Sequence, residues 1–201
     1  MSVERHMRKL GRWTLYATLA FLATGVVLFW LSRKIDIWRA RAEARASIER
    51  PDIEGLKEIL YKHPELVWHQ YCHKHSYTLL HYSAQWNQPD IAEELLRRGA
   101  FVNARTDGDL TALYIAVNTS SVSVASTLLK FGADPNLGCG EIMPLHLAAS
   151  NGNTKMVGLL LEAGALVNPR DSAGRTPMDC AHSAAVRDLL RKHGGTATRD
   201  F

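Results

Sequence analysis

The sequence predicts an all-α fold, a solenoid of helix-turn-helix-loop repeats preceded by one transmembrane helix. Three observations carry this. Four helix-starting segments, Thr78-Leu79-Leu80-His81, Thr111-Ala112-Leu113-Tyr114, Met143-Pro144-Leu145-His146 and Thr176-Pro177-Met178-Asp179, begin 33, 32 and 33 residues apart. Further markers follow in phase: Leu95-Leu96, Leu128-Leu129 and Leu160-Leu161; then Gly99-Ala100, Gly132-Ala133 and Gly164-Ala165; then Asn103, Asn136 and Asn168. A fixed period of this size belongs to stacked units, each too small to bury its own apolar face. The third observation is a run of 19 residues, Trp13 to Leu31, that contains no charge.

The chain has 201 residues, enough for one domain. Residues 1–12 are a basic head, with Arg5, Arg8, Lys9 and Arg12 against Glu4. The uncharged run 13–31 follows. At about 1.5 Å per residue it approaches the ~30 Å hydrocarbon core of a bilayer. Trp13 and Trp30 stand near its ends, where indole rings anchor at membrane interfaces. A cleaved signal peptide would need a shorter apolar core followed by small residues, and Ser32-Arg33-Lys34 follows instead. The run is therefore expected to be an uncleaved single-pass anchor in the cell membrane. Six Lys/Arg follow it by Arg50 and four precede it, which favours a cytoplasmic repeat domain. The basic head also resists translocation, so a periplasmic or extracellular domain is the alternative topology. Cys72, Cys139 and Cys180 form an odd, scattered set with no disulfide framework, which agrees with the cytoplasmic reading. The net charge of +4 hints at acidic partners, but much of it lies near the N-terminus. No nucleic-acid partner is expected.

The elements follow in order. Residues 32–48, rich in Ala and Arg, make a basic helix beside the membrane, ending near Glu49 before Arg50-Pro51. Asp52 caps a second helix that carries Ile53, Leu56, Ile59 and Leu60 on one face and stops at Lys62-His63-Pro64. Thr78 opens the next helix. Pro89, tolerated in a first turn, opens its partner, and Gly99 closes that partner by accepting positive φ. Ser120 to Ser126 gives the following unit weaker helix formers. The last unit is shortened: 13 residues separate Thr176 from Leu189, against 17 from Thr78 to Leu95. With polar Arg187, Asp188, Arg191 and Lys192 it reads as a cap, and residues 196–201 read as a frayed tail.

Catalytic signatures are absent: no phosphate-binding loop, nucleophile elbow, paired zinc histidines or dinucleotide fingerprint occurs, and the chain is not expected to be an enzyme. Glu93-Glu94 reads as solvated charge. His63, His69, Cys72, His73, His75 and His81 are the densest group of ligand-type side chains. Their spacing lacks a second Cys/His pair at zinc-finger distance, so no metal or other cofactor is expected, and a metal-dependent activity at this loop ranks last among the alternatives. Cys180 reads as a small buried hydrophobe.

A period of about 33 opening on T-P-L-H-x-A resembles the ankyrin repeat. The resemblance covers residues 39–195: a degenerate first repeat at about 39–75, then 76–108, 109–140, 141–173 and a capping repeat at 174–195. It implies that little linker separates anchor and repeats, so that the domain is held close to the bilayer. It implies that His81 and His146 tie neighbouring loops together, and that Tyr114 and Asp179, which replace that histidine, leave a weaker network. It also implies a protein partner, recruited or sequestered at the membrane by a scaffold that is otherwise monomeric. The alternative is an extracytoplasmic protein that neutralises a toxin or assists an enzyme. Carried over by position, the partner-binding candidates are His75, Tyr77, Gln85, Trp86 and Arg98 in the second repeat. Asp107, Leu110, Asn118 and Phe131 come from the third. Ile142, Ser150 and Asn151 come from the fourth, and Ser172 and Arg175 from the fifth. Trp86 with Tyr77 is the expected anchor, unless Trp86 instead packs against Trp68 and Tyr71.

Overall fold

The computed structural model describes residues 32–68 and 76–198. The run Trp13–Leu31, and with it the expected anchor, lies outside the described residues. Among the described residues no helix is long and apolar enough to cross a membrane.

The chain divides after Ala42 into two compact units. In the first, residues 32–42 are helical, and Ile35 and Trp38 are 53% and 64% exposed. This helix, α1, is assigned over residues 32–49. Its residues from Glu43 onward belong to the second unit, where Ala44 and Ile48 are buried. The second unit continues with α2 (Ile53–Lys62), a 3₁₀ turn (Pro64–Val67), α3 (Leu79–Gln85), α4 (Pro89–Arg97), α5 (Ala112–Asn118), α6 (Val122–Lys130), α7 (Pro144–Ser150), α8 (Thr154–Glu162), α9 (Pro177–Cys180) and α10 (Ala184–Lys192). The first helices α3, α5, α7 and α9 pack in sequence, and so do the second helices α4, α6, α8 and α10. The result is two parallel layers.

Local chemistry sets the boundaries. The Asp52 carboxylate accepts from the Gly55 N–H at 2.8 Å, and the Asn153 amide oxygen accepts from the Met156 N–H at 3.1 Å. Leu56, Leu95, Leu128, Leu160 and Leu190 point between the layers and are fully buried. Each contributes roughly 1.5–3 kcal/mol by leaving water. Helix α9 has four residues where α3, α5 and α7 have seven, because Ala181 turns extended and leads almost directly into α10. The loop after α2 holds the 3₁₀ turn, whose Leu66 and Val67 are buried.

The turn between first and second helices demands positive φ. Gly152 supplies it at +67°, but Asn87 and Ser120 adopt +51° and +57° at the matching places. A Cβ in that region costs of order 1 kcal/mol, less for asparagine than for serine. Ser120→Gly is therefore expected to stabilise the protein by up to about 1 kcal/mol, less what is lost to unfolded-chain entropy. Urea unfolding checks this, and a lower midpoint would contradict it.

Candidate partner-binding face

The loops that lead into the first helices are stitched from repeat to repeat. Buried His81 accepts the Thr78 N–H at Nδ1, 3.0 Å away, with the Thr78 hydroxyl at 2.8 Å. Its Nε2 lies 3.1 Å from both the Ala104 and Leu110 carbonyls. Two carbonyls can only accept, so the proton sits on Nε2 and the ring is neutral. Burial lowers its pKa from 6.5 to about 4, against the opposing pull of those two carbonyls. His146 repeats the arrangement, with Nδ1 accepting from the Met143 N–H at 3.2 Å and Nε2 donating to the Arg175 carbonyl at 3.0 Å.

A second ladder runs through the asparagines. The side-chain oxygens of Asn103, Asn136 and Asn168 accept from the N–H groups of Asp134, Leu166 and Thr196 at 3.0, 2.8 and 2.8 Å. Each rung joins one repeat to the next.

Two expectations are corrected at the C-terminal end. Asp179 does not weaken the network. Its carboxylate accepts from the Thr176 N–H and hydroxyl at 2.8 and 3.0 Å and from the Thr198 N–H and hydroxyl at 3.0 and 2.8 Å. Burial raises its pKa, but the Thr176 and Thr198 donors outweigh burial and hold it down at about 2. Residues 196–198 are consequently pinned rather than frayed, and the one proton of the Thr176 hydroxyl is shared between the Asp179 carboxylate and the Thr196 carbonyl, 2.7 Å away. A carboxylate replaces the histidine because its neighbours here are donors, where the histidines face carbonyls.

The candidate residues fall into two groups at opposite ends of the first helices, of which α3, α5 and α7 are about 10 Å long and α9 about 6 Å. Tyr77, Asp107, Leu110, Ile142, Ser172 and Arg175 lie in the loops before them. Gln85, Trp86, Asn118, Ser150 and Asn151 lie at or just past their C-terminal ends. Arg98 and Phe131 sit apart, capping α4 and α6, and His75 lies outside the described residues. Tyr77, Arg98 and Leu110 are half-buried rather than exposed. Trp86 is 46% exposed.

Several candidates are already engaged. Arg98 pairs with Glu94 at 2.7 Å and Arg175 with Asp171 at 2.8 Å. Asp107 accepts from the Ser76 hydroxyl at 2.5 Å, and the Asn151 amide donates to the Val117 carbonyl at 3.4 Å. Sequence reasoning also passed over two residues between the groups, Tyr82 and Leu147, both half-buried on the outer side of α3 and α7. Each stands four residues after its helix-opening Thr78 or Met143, and that constant offset was the available signal. The Tyr77 and Tyr82 rings lie 5.3 Å apart, and the Arg45 guanidinium sits 4.9 Å from the Tyr82 ring centre.

Among the described residues no group of three His, Cys, Asp or Glu side chains is set to hold a metal. Of the histidine-rich group, His63 lies 3.3 Å from Glu65, His81 has both nitrogens committed, and His69, Cys72, His73 and His75 are outside the described residues. Glu93, read as solvated charge, pairs with Arg97 at 2.6 Å, as Glu94 does with Arg98. Cys180 is half-buried, and burial pushes its thiol up, away from the reactive thiolate.

A helical solenoid with stitched loops and an open outer face of first helices is a binding module in architecture. Ankyrin-repeat family models match residues 46–139 (three copies) and 128–181 (many copies). The chain belongs to the ankyrin-repeat family. It is 37% identical over 115 residues to ankyrin repeat and SOCS box protein 11 of Danio rerio, covering 57% of this chain and 39% of that protein. It is 37% identical over 125 residues to ankyrin repeat and SOCS box protein 16 of Homo sapiens, 55% of this chain and 28% of that one. An ankyrin repeat protein of Rickettsia bellii is 56% identical over 121 residues, 44% of this chain and 49% of that one. The chain thus spans less than half the length of each.

Proposed function

We propose that this protein is a membrane-anchored scaffold whose ankyrin repeats recruit or sequester a protein partner, with the repeats on the cytoplasmic side. The observation that carries the binding role is the face of the first helices. It keeps Trp86 and Ile142 46% and 39% exposed while the leucine core behind it is closed. Large apolar side chains held in water on a rigid frame are the usual hot spots of an interface. The uncharged run Trp13–Leu31 between basic flanks supports the anchor. Cytoplasmic repeats agree with free Cys139 and Cys180.

A C-terminally tagged full chain tests both parts. The protein is expected to stay in membranes through an alkaline wash, and its tag to resist protease in intact cells or spheroplasts. Release by the wash overturns the anchor. Digestion of the tag in sealed cells puts the repeats outside. Trp86→Ala is expected to change stability by less than about 0.5 kcal/mol and to lower proximity labelling of neighbouring proteins roughly tenfold. A lower melting temperature with intact labelling removes Trp86 from the interface.

A further inference from the structure

The outer face has an unusual charge distribution. Helices α3, α5 and α7 (Leu79–Gln85, Ala112–Asn118, Pro144–Ser150) contain no Asp, Glu, Lys or Arg, whereas every second helix carries at least one. Of the charges along its borders, Arg45 pairs with Glu49 at 2.9 Å, Arg105 with Asp109 at 2.6 Å and Arg175 with Asp171 at 2.8 Å, while Asp107 accepts from the Ser76 hydroxyl and exposed Glu141 adjoins Ile142 in the loops before the helices.

Along the helices themselves the partly exposed side chains are apolar, in two rows. Tyr77, Leu110 and Ile142 each immediately precede the residue that opens a first helix. Tyr82 and Leu147, both half-buried, each follow that residue by four, whereas Ile115, at the same place in α5, is buried. Beyond the second row, Gln85, Asn118 and Ser150 are exposed and uncharged. The rows of α3 and α5 are held in register by His81, whose Nε2 bonds the Leu110 carbonyl.

A charged side chain docked against α3, α5 or α7 would lose water and find no counter-charge on those helices. Spacing selects the partner's conformation. Neighbouring helices of a stack lie about 8–10 Å apart. A helix laid along the stack returns a side chain to one face every seven residues, or about 10 Å. An extended strand does so about every 7 Å and falls out of step with the repeats.

We infer that the face binds an amphipathic α-helix of another protein, through an apolar heptad stripe bordered, on the side that meets the C-terminal ends of the first helices, by amide and hydroxyl side chains rather than by charges. This rests on the protein-binding reading above and names the class of partner.

The test uses the full chain in lipid nanodiscs, challenged with two displayed peptide libraries. One holds helical peptides of about five turns with apolar heptad positions and Lys, Glu, Asn, Gln or Ser elsewhere. The other holds extended sequences with alternating apolar positions. The helical library is expected to yield the ligands, with Lys and Glu depleted beside the stripe. Their affinity should change less than about twofold between low and high salt. Ile142→Glu, in an exposed loop, and Ser150→Arg, at an exposed helix end, should each weaken binding at least about tenfold. Lys155→Glu on α8 should leave binding unchanged. Ligands drawn from the extended library, a charged rim with steep salt dependence, binding untouched by Ile142→Glu, or no ligand at all would each overturn the inference. Ligands that map to the second helices would overturn it while leaving protein binding intact.

Discussion

Lowering the pH from 7 to 4 is expected to destabilise the repeat stack by up to about 3 kcal/mol through His81 alone. The unfolded chain binds a proton at this residue near pH 6.5, whereas the folded one does so only near 4. Between those values the unfolded state holds more protons, so stability is complete above about 6.5 and falls as the pH drops to about 4. Below that both states are protonated and no further loss follows from this group. The structural reason is that protonated Nδ1 would confront the Thr78 N–H, itself a donor, inside a site closed to water. His81→Ala should cost roughly 2–4 kcal/mol at pH 7, because it leaves a cavity and strips the Ala104 and Leu110 carbonyls of their donor. It should also flatten the pH profile. Urea unfolding of both proteins at several pH values decides this. Parallel profiles would show that the imidazole is not the titrating group.

Replacing Asp179 by Ala is expected to cost about 2–3 kcal/mol and to free residues 196–198. One carboxylate serves both the α9 cap and the chain end, so a single substitution removes the acceptor shared by the Thr176 N–H and the Thr198 N–H and hydroxyl. Hydrogen exchange should show the Thr198 amide losing protection together with Thr176. Protection that persists at Thr198 would mean that Asn168, which holds the Thr196 N–H, suffices to seat the segment. Asp179 also predicts a second, more acidic transition. Its stabilisation is present above pH 3.8 and fades as the pH falls to about 2.

Much of this was legible in the sequence. The helix-opening threonines, the leucine pairs and the closing glycines are local signals, repeated in phase, and every helix from α3 to α10 begins or ends on one of them. The histidine ties could be expected from the family pattern. Three features could not. The asparagine rungs span about 30 residues, and no local rule says whether an asparagine bonds its own turn or the next one. The positive φ of Asn87 and Ser120 is imposed by the stack, against the preference of the side chains. The role of Asp179 depends on whether its neighbours donate or accept, which only the placement of residues 196–198 reveals. On the outer face, residue type and position pointed to Trp86 and Ile142, but the internal pairing of Arg98 and Arg175 is invisible without coordinates.

The asparagine ladder has a consequence for how failure spreads. Every rung joins only consecutive repeats, at Asn103, Asn136 and Asn168, so the molecule behaves as a short chain of coupled links rather than as one indivisible core. A broken end link sheds one unit and leaves a shorter stack. A weakened link at Asn136 loosens the stack near its middle, between three repeats on one side and one full repeat with its cap on the other. Damage is therefore weighted by position along the stack more than by depth of burial.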